Sequence, residues 1–288
     1  MSKPKILIQL DTDLQPSVFD SVVAVDAGVD HLFRHSGVKP DGVRDLVYGA
    51  IFTRGMEDLK STAIFVGGSN VGEGEALLAA VKKTMFGPMR VSVVLDSNGA
   101  NTTAAAAVLA AGKHVSLKGA EALVLAATGP VGSRVVRLLA AEGAKVKVGS
   151  RTAAKAEATC EEVRKLVSGA QLTAVEASDE KSVVAALQDA QVVIAAGAPG
   201  VELLSADARK SAKTLKVAID LSAVPPLGIA GIEVTDKAKD REGVVCYGAI
   251  GVGGTKMKIH KAAIRQLFEA NDQVLDAEEI YAIGKGLS

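Results

Sequence analysis

The chain has 288 residues, 48% of them apolar, enough for a substantial core in one large or two ordinary domains. Its 33 basic and 33 acidic residues balance, which excludes a net field toward nucleic acid or an anionic membrane, and 3% aromatics without tryptophan exclude a base-stacking surface. Cys160 and Cys246 stand far apart without CxxC spacing, and no run has a signal-peptide core or the length of a membrane span, so a cytoplasmic protein without disulfides is expected.

Residues 1–101 alternate strand and helix patterns. Ile6 to Leu10 reads as a strand, Asp11 to Gln15 as a loop, and Pro16 as the opening of a helix that continues through Phe19, Val22, Val23 and Asp26. Asp30 to His35 is a strand, Asp41 to Tyr48 a helix, and Ala50 to Arg54 a strand. Thr62 to Val66 is a strand closed by Gly67-Gly68, Glu75 to Phe86 a helix, and Met89 to Leu95 a strand. This alternation specifies an α/β layer with a mostly parallel sheet. The turn-rich stretch Asp96 to Thr102 marks a domain junction, followed by an Ala-rich helix from Thr103 to Ala111.

The stretch from Ala122 to Lys155 is the most informative. A strand, Ala122 to Ala127, runs into a Gly turn, Thr128 to Gly132. A helix follows, with Val131, Val135, Leu138 and Leu139 on one face and Gly143 as its stop, then a strand from Ala144 to Val148. Strand, Gly turn, helix and strand open a dinucleotide-binding unit, although Ala127 stands where the first glycine of Ala127-x-Gly129-x-x-Gly132 is usual. Gly129 would let backbone approach a pyrophosphate, Gly132 would let helix pack on strand, and Pro130 suits the first helical turn. Where NAD sites place an acid on the ribose, this chain has Ser150, Arg151 and then Lys155. A hydroxyl and two cations suit a 2′-phosphate, which points to NADP. The bland alternative is a structural turn with Arg151 solvated.

Further strands are expected at Gln171, Val192 and Leu215. The Val192 strand ends in Gly197-Ala198-Pro199-Gly200 and the Val217 to Asp220 segment runs to Ser222, and such loops line the ligand crevice of open α/β sheets. A second Gly cluster, Gly248 to Gly254, precedes a helix expected from about Thr255 to Ala270, and a last helix from Ala277 to Leu287 is expected to cross back to the first domain. The domains are therefore read as 1–101 completed by 271–288, and 102–270 as a doubly wound, Rossmann-like nucleotide domain.

No HExxH, cysteine cluster or paired histidine points to zinc. His31, His35, His114 and His260 are scattered and read as ordinary surface or core residues. Asp11 and Asp13 are read as caps of the Pro16 helix rather than metal ligands. Lys256 falls at an expected helix N-terminus beside the Gly cluster, and reads equally as a ligand contact or a solvated lysine. Thr102 reads as a helix cap or as a crevice residue, and Asp20 as a solvated side chain or as a carboxylate for the paired N–H groups of a pterin ring.

Several segments carry a family resemblance: Leu10-Asp-Thr-Asp with Pro16 to Asp20, Tyr48 to Gly55, Ser61 to Gly68, Asp96-Ser-Asn-Gly with Asn101-Thr-Thr-Ala, Thr128 to Gly132, Pro225 to Ile229, Gly251 to Lys256, and Asp276 to Tyr281. Over essentially its full length the chain resembles the NADP-dependent methylene-tetrahydromethanopterin/methylene-tetrahydrofolate dehydrogenases of methylotrophic bacteria. The resemblance implies a substrate domain, a nucleotide domain, a pterin cleft between them, and a homo-oligomer with a trimer as the candidate order. It implies that Phe19, Asp20, Thr102 and Lys256 line the pterin cleft, with Asp20, Thr102 and Lys256 in the catalytic set. It also implies that Thr128, Gly129, Pro130, Val131, Gly132, Ser150, Arg151, Lys155 and Gly197 bind NADP. One departure is a shorter segment between Thr102 and Gly119, which bears on carrier preference. The chemistry it implies is direct hydride transfer from a methylene bridge to nicotinamide. Two rivals are a shikimate-type NADP dehydrogenase, whose paired Lys and Asp cannot be placed at family spacing here, and a non-catalytic NADP-sensing module.

Overall fold

The computed structural model describes residues 3–287. The chain divides into two compact units. The first joins the chain up to Thr102 with the chain from Met257 onward, and the second is Thr103–Lys256. The second unit thus ends earlier than the residue 270 expected from the sequence.

The first unit runs β1 (Ile6–Asp11), α1 (Val18–Asp26), β2 (His31–His35), α2 (Arg44–Phe52), β3 (Thr62–Gly67), α3 (Val71–Thr84), β4 (Ser92–Leu95) and the start of α4 (Ala100–Gly112). Every residue of β3 and β4 is buried, as parallel strands covered on both faces require. The expected strand from Ala50 to Arg54 does not form, because α2 continues to Phe52. Val47, Ala50 and Ile51 fall at helical spacing and are all buried, so the apolar run serves one helix face. Pro16 does not open α1 either: Ser17 is the cap, its hydroxyl accepting the Asp20 N–H at 3.2 Å. Asp11 acts one step earlier, accepting the N–H of Ser17 and of Asp13 at 3.0 Å each. Asp13 accepts the Ser69 N–H and hydroxyl at 2.9 Å each, so both acids shape the loop instead of capping the helix.

The second unit holds β5 (Glu121–Leu125), α5 (Pro130–Ala141), β6 (Lys145–Ser150), α6 (Ala153–Leu166), β7 (Gln171–Glu176), α7 (Glu180–Leu187), β8 (Val192–Ala195), α8 (Ala206–Ser211), β9 (Val217–Asp220), β10 (Lys239–Arg241), β11 (Val244–Tyr247) and the start of α9 (Ala249–Gln266). The chain then adds β12 (Val274–Leu275) and α10 (Ala277–Gly286).

Both sheets are doubly wound. The first has the order β12-β4-β3-β1-β2, all parallel. This is the flavodoxin-like arrangement, whose switch point lies between β1 and β3. The second has the order β10-β11-β9-β8-β5-β6-β7, parallel except for β10, which is the dinucleotide-binding arrangement with its switch between β5 and β8. In such sheets ligands bind beyond the carboxyl ends of the strands at the switch.

Candidate functional site

The nucleotide-side candidates lie beyond β5, β6 and β8. After Leu125 the chain turns through Ala126, held at φ 54°, and Gly129 caps α5 with no side-chain hydrogen bond. A Cβ on Gly129 would come no nearer than 3.5 Å to its surroundings, so the chain's own packing does not demand glycine there. The backbone N–H groups at this helix start suit a ligand's phosphates. At Gly132 a Cβ would lie 2.6 Å from the Ala126 carbonyl oxygen and 2.8 Å from Ala127 Cα, so the approach of helix to strand demands glycine. No acid occupies the first turn of α5, and Pro130 stands at its start. Thr128 and Val131 flank this turn. Gly197, at the carboxyl end of β8, comes beside it: a Gly197 Cβ would be 3.8 Å from Ala126 Cβ.

Ser150 closes β6 and is buried, whereas Arg151 and Lys155 are exposed. Thr152 caps α6, and no acid stands in that helix's first turn. The register places Glu176 beside Ser150, but its carboxylate accepts the Ser178 hydroxyl at 2.8 Å. A cavity of about 290 Å³ adjoins Arg151, with Ala177, Val183, Val201 and Leu203 among its apolar lining. A hydroxyl, two cations and a helix N-terminus without a carboxylate fit a phosphorylated ribose. At the end of β9, the buried Asp220 accepts the N–H groups of Ser222 at 2.9 Å and Ile229 at 2.8 Å, and burial pushes its carboxyl pKa up.

The pterin-side candidates in the first unit gather around a histidine that the sequence alone marks as ordinary. His260 is 1% exposed, with its ring stacked on Phe65 at 5.6 Å and 18° and tilted against Phe19 at 6.3 Å. Its Nε2 lies 4.0 Å from Asp20 Oδ1, and its Nδ1 lies 3.9 Å from Asp96 Oδ2. Both separations are longer than hydrogen bonds. Thr102 donates its hydroxyl to Asp96 at 2.7 Å and its N–H at 3.0 Å. The Thr102 side chain is buried and bonds to Asp96. Asp20 keeps a side-chain exposure of 13% and Phe19 is half exposed.

Lys256 requires a correction. The helix expected from Thr255 begins at Ala249, so Lys256 lies two turns inside α9 and not at its positive end. The Gly cluster reads as loop from sequence because glycine is a poor helix former. Close packing requires it at two of the four glycines: a Cβ on Gly251 would sit 1.7 Å from the Asp236 carbonyl oxygen, and one on Gly248 would sit 2.0 Å from that of Glu233.

Residues 18–98 match the family described as methylene-tetrahydromethanopterin dehydrogenase, N-terminal. Over 290 residues the chain is 48% identical to the bifunctional protein MdtA of Methylorubrum extorquens, with all of both chains covered. It is 32% identical to the NAD(P)-dependent methylenetetrahydromethanopterin dehydrogenase of the same organism, over 93% of each chain. The chain belongs to the methylenetetrahydromethanopterin dehydrogenase family. Among solved structures, this family member is similar to shikimate 5-dehydrogenase from Listeria monocytogenes, with a TM-score of 0.54 at 14% identity, covering 99% of this chain and 96% of that one. It is also similar to quinate dehydrogenase from Corynebacterium glutamicum, with a TM-score of 0.50 at 13% identity, covering 98% and 99%. These likenesses concern the fold alone, a two-domain α/β arrangement with a Rossmann-like part.

For this methylenetetrahydromethanopterin dehydrogenase family chain, the signal that would have found His260 is its spacing from Lys256. Four residues apart on one helix, the two side chains share a face. Asp96 is hidden differently, because it falls in the turn-rich stretch that reads as a domain junction.

Proposed function

We propose that the chain is an NADP-dependent dehydrogenase that oxidises methylene-tetrahydromethanopterin to the methenyl form by direct hydride transfer. The observation that carries this reading is the similarity along 93% of the chain to a protein named NAD(P)-dependent methylenetetrahydromethanopterin dehydrogenase. The second unit supports it, with a dinucleotide-type sheet order and a glycine turn at a helix N-terminus that carries no side-chain cap.

The Thr128–Gly132 turn and Gly197 would hold the pyrophosphate and nicotinamide half of NADP, and Ser150, Arg151 and Lys155 its 2′-phosphate. Bound there, the nicotinamide supplies a hydride acceptor. On the carrier, the methylene carbon loses hydride, and the lone pairs of its two nitrogens share the resulting charge. No proton leaves in that step, which fits a site built without a catalytic triad. The protein's contribution is orientation and field. Asp20 accepts the paired N–H groups of the pterin ring, with Phe19 against its face. Thr102 serves this site through Asp96 and not by touching the carrier. Lys256 contributes a hydrogen bond to carrier or cofactor, since a cation opposes a developing cation.

Methylene-tetrahydrofolate is the proposed second carrier. A homo-oligomer is proposed, with a trimer as its order, and Val18, Val22 and Val25 on α1, all more than half exposed, offer an apolar face for self-association. Buried free thiols at Cys160 and Cys246 fit the reducing cytoplasm.

The test is absorbance of the methenyl product with each carrier and each nucleotide. Turnover with NADP and methylene-tetrahydromethanopterin is expected, and none with any pairing would reject the reading. Arg151→Ala should raise the KM for NADP about 10–100-fold, the worth of a charge-assisted hydrogen bond. An unchanged KM would remove Arg151 from the phosphate site.

A further inference from the structure

The dehydrogenase reading uses Asp20 to hold the carrier and leaves a buried array behind it without a role. Nε2 of His260 faces Asp20 at 4.0 Å and Nδ1 faces Asp96 at 3.9 Å. Phe65 holds the imidazole plane from one side. Asp96 is buried and is itself fixed by the Thr102 N–H and hydroxyl. The four members come from α1, α9, the end of β4 and the first turn of α4.

Helix capping accounts for only part of this. The Thr102 N–H on Asp96 Oδ1 is a helix-start contact. The hydroxyl bond to Oδ2, and an aromatic-stacked imidazole enclosed between two carboxylates, are not needed to start a helix. An apolar side chain would fill the same volume without burying polar groups, so stability alone does not explain the array. What it does explain is alignment. Thr102 commits its hydroxyl proton to Asp96, which limits rotation of that carboxylate, and the ring edges then relate Asp96 to Asp20. Such outer partners commonly decide how a contacting group is oriented.

We propose that Asp96 is a positioning residue that acts through His260 to set the Asp20 carboxylate for the paired N–H edge of the reduced pterin. The inference rests on the dehydrogenase reading above.

The test is a double-substitution cycle on the full-length enzyme, assayed with NADP and methylene-tetrahydromethanopterin. Asp96→Asn should lower kcat/KM for the carrier about tenfold or more, and leave the KM for NADP within about twofold. In an Asp20→Asn background the same substitution should change kcat/KM by less than about twofold, because the residue through which it acts is gone. A purely structural Asp96 gives the same factor in both backgrounds, and that result overturns the proposal. So does a single Asp96→Asn variant within about twofold of wild type, or a loss that falls on NADP. If Asp96→Asn does not fold, His260→Asn breaks the array at its middle and leaves the Asp96–Thr102 bonds intact. The cycle is then run with His260→Asn, where a loss confined to the Asp20 background supports the proposal and equal factors overturn it. An inactive wild type overturns the dehydrogenase reading, and this proposal with it. An active wild type with a fully additive cycle overturns the proposal alone.

Discussion

Gly251 and Gly254 stand three residues apart on α9 and should answer opposite ways to the same substitution. A Cβ on Gly251 meets the Asp236 carbonyl at 1.7 Å, and neither backbone can yield without moving a packed segment. Gly251→Ala should cost about 3 kcal/mol or more in urea unfolding. Gly254 is exposed, lies inside the helix and has nothing within 4 Å, so Gly254→Ala should gain about 0.5–1 kcal/mol. Equal effects at both positions would show that α9 does not start at Ala249. The thiols offer a second residue-scale test. Burial pushes Cys246 from 9.0 up to about 11, and raises Cys160 as well. The folded state keeps the Cys246 proton while the unfolded state releases it first. That stabilisation is complete below pH 9 and is lost as the pH rises to about 11. Over that interval wild type should lose about 2–3 kcal/mol more than Cys246→Ala. Parallel unfolding curves for the two proteins across the alkaline range would show that the thiol is not protected.

At the scale of elements, legibility followed length and local pattern. The glycine turn, α5 and β6 all lie within one stretch of about 30 residues with a helical period in its middle, and they are readable from the sequence alone. The apolar run at Ala50 misleads because three apolar residues, Ala50 to Phe52, do not tell a strand from the end of a buried helix face. β12 is two residues long and has no period to detect, yet it extends the first sheet by pairing Val274 with Val93. Ser92 donates its hydroxyl to the Ala270 carbonyl at 2.8 Å, across 178 positions of sequence, and no local pattern announces such a contact. Asp276 fastens the same return segment. Its Oδ1 accepts a hydrogen bond at 2.9 Å from the Asn101 amide, which is buried and also donates to the Leu95 carbonyl at 2.7 Å. Asp276→Ala leaves that amide one acceptor short and should cost about 1–3 kcal/mol by denaturant titration. A cost below about 0.5 kcal/mol would mean that the segment is held elsewhere.

At the scale of the molecule, alternating strands and helices made two α/β units legible, but not the order of their strands. In parallel sheets every strand is an apolar run, so nothing in the run says which neighbour it takes. The structure supplies two different doubly wound orders, and each has its own switch point and so its own crevice. This gives the assignment of ligands to units a test that needs no turnover. A ligand that binds the folded protein stabilises it by about 2.7 kcal/mol when present at a hundred times its Kd. Amides that exchange through openings of the liganded region should slow by up to about 100-fold, while openings elsewhere keep their rates. In hydrogen-exchange mass spectrometry, NADP should protect 126–132, 150–155 and 196–200. The methenyl carrier should protect 17–21 and 96–103, where Asp20 and the Asp96–Thr102 bonds lie. Because the first crevice is shaped by Asp11, Asp13 and Ser69, its loops should tighten with the pterin and not with the nucleotide. If NADP instead slowed exchange at 67–70 and left 126–132 unchanged, the nucleotide would belong to the flavodoxin-like sheet and both ligand assignments would be reversed.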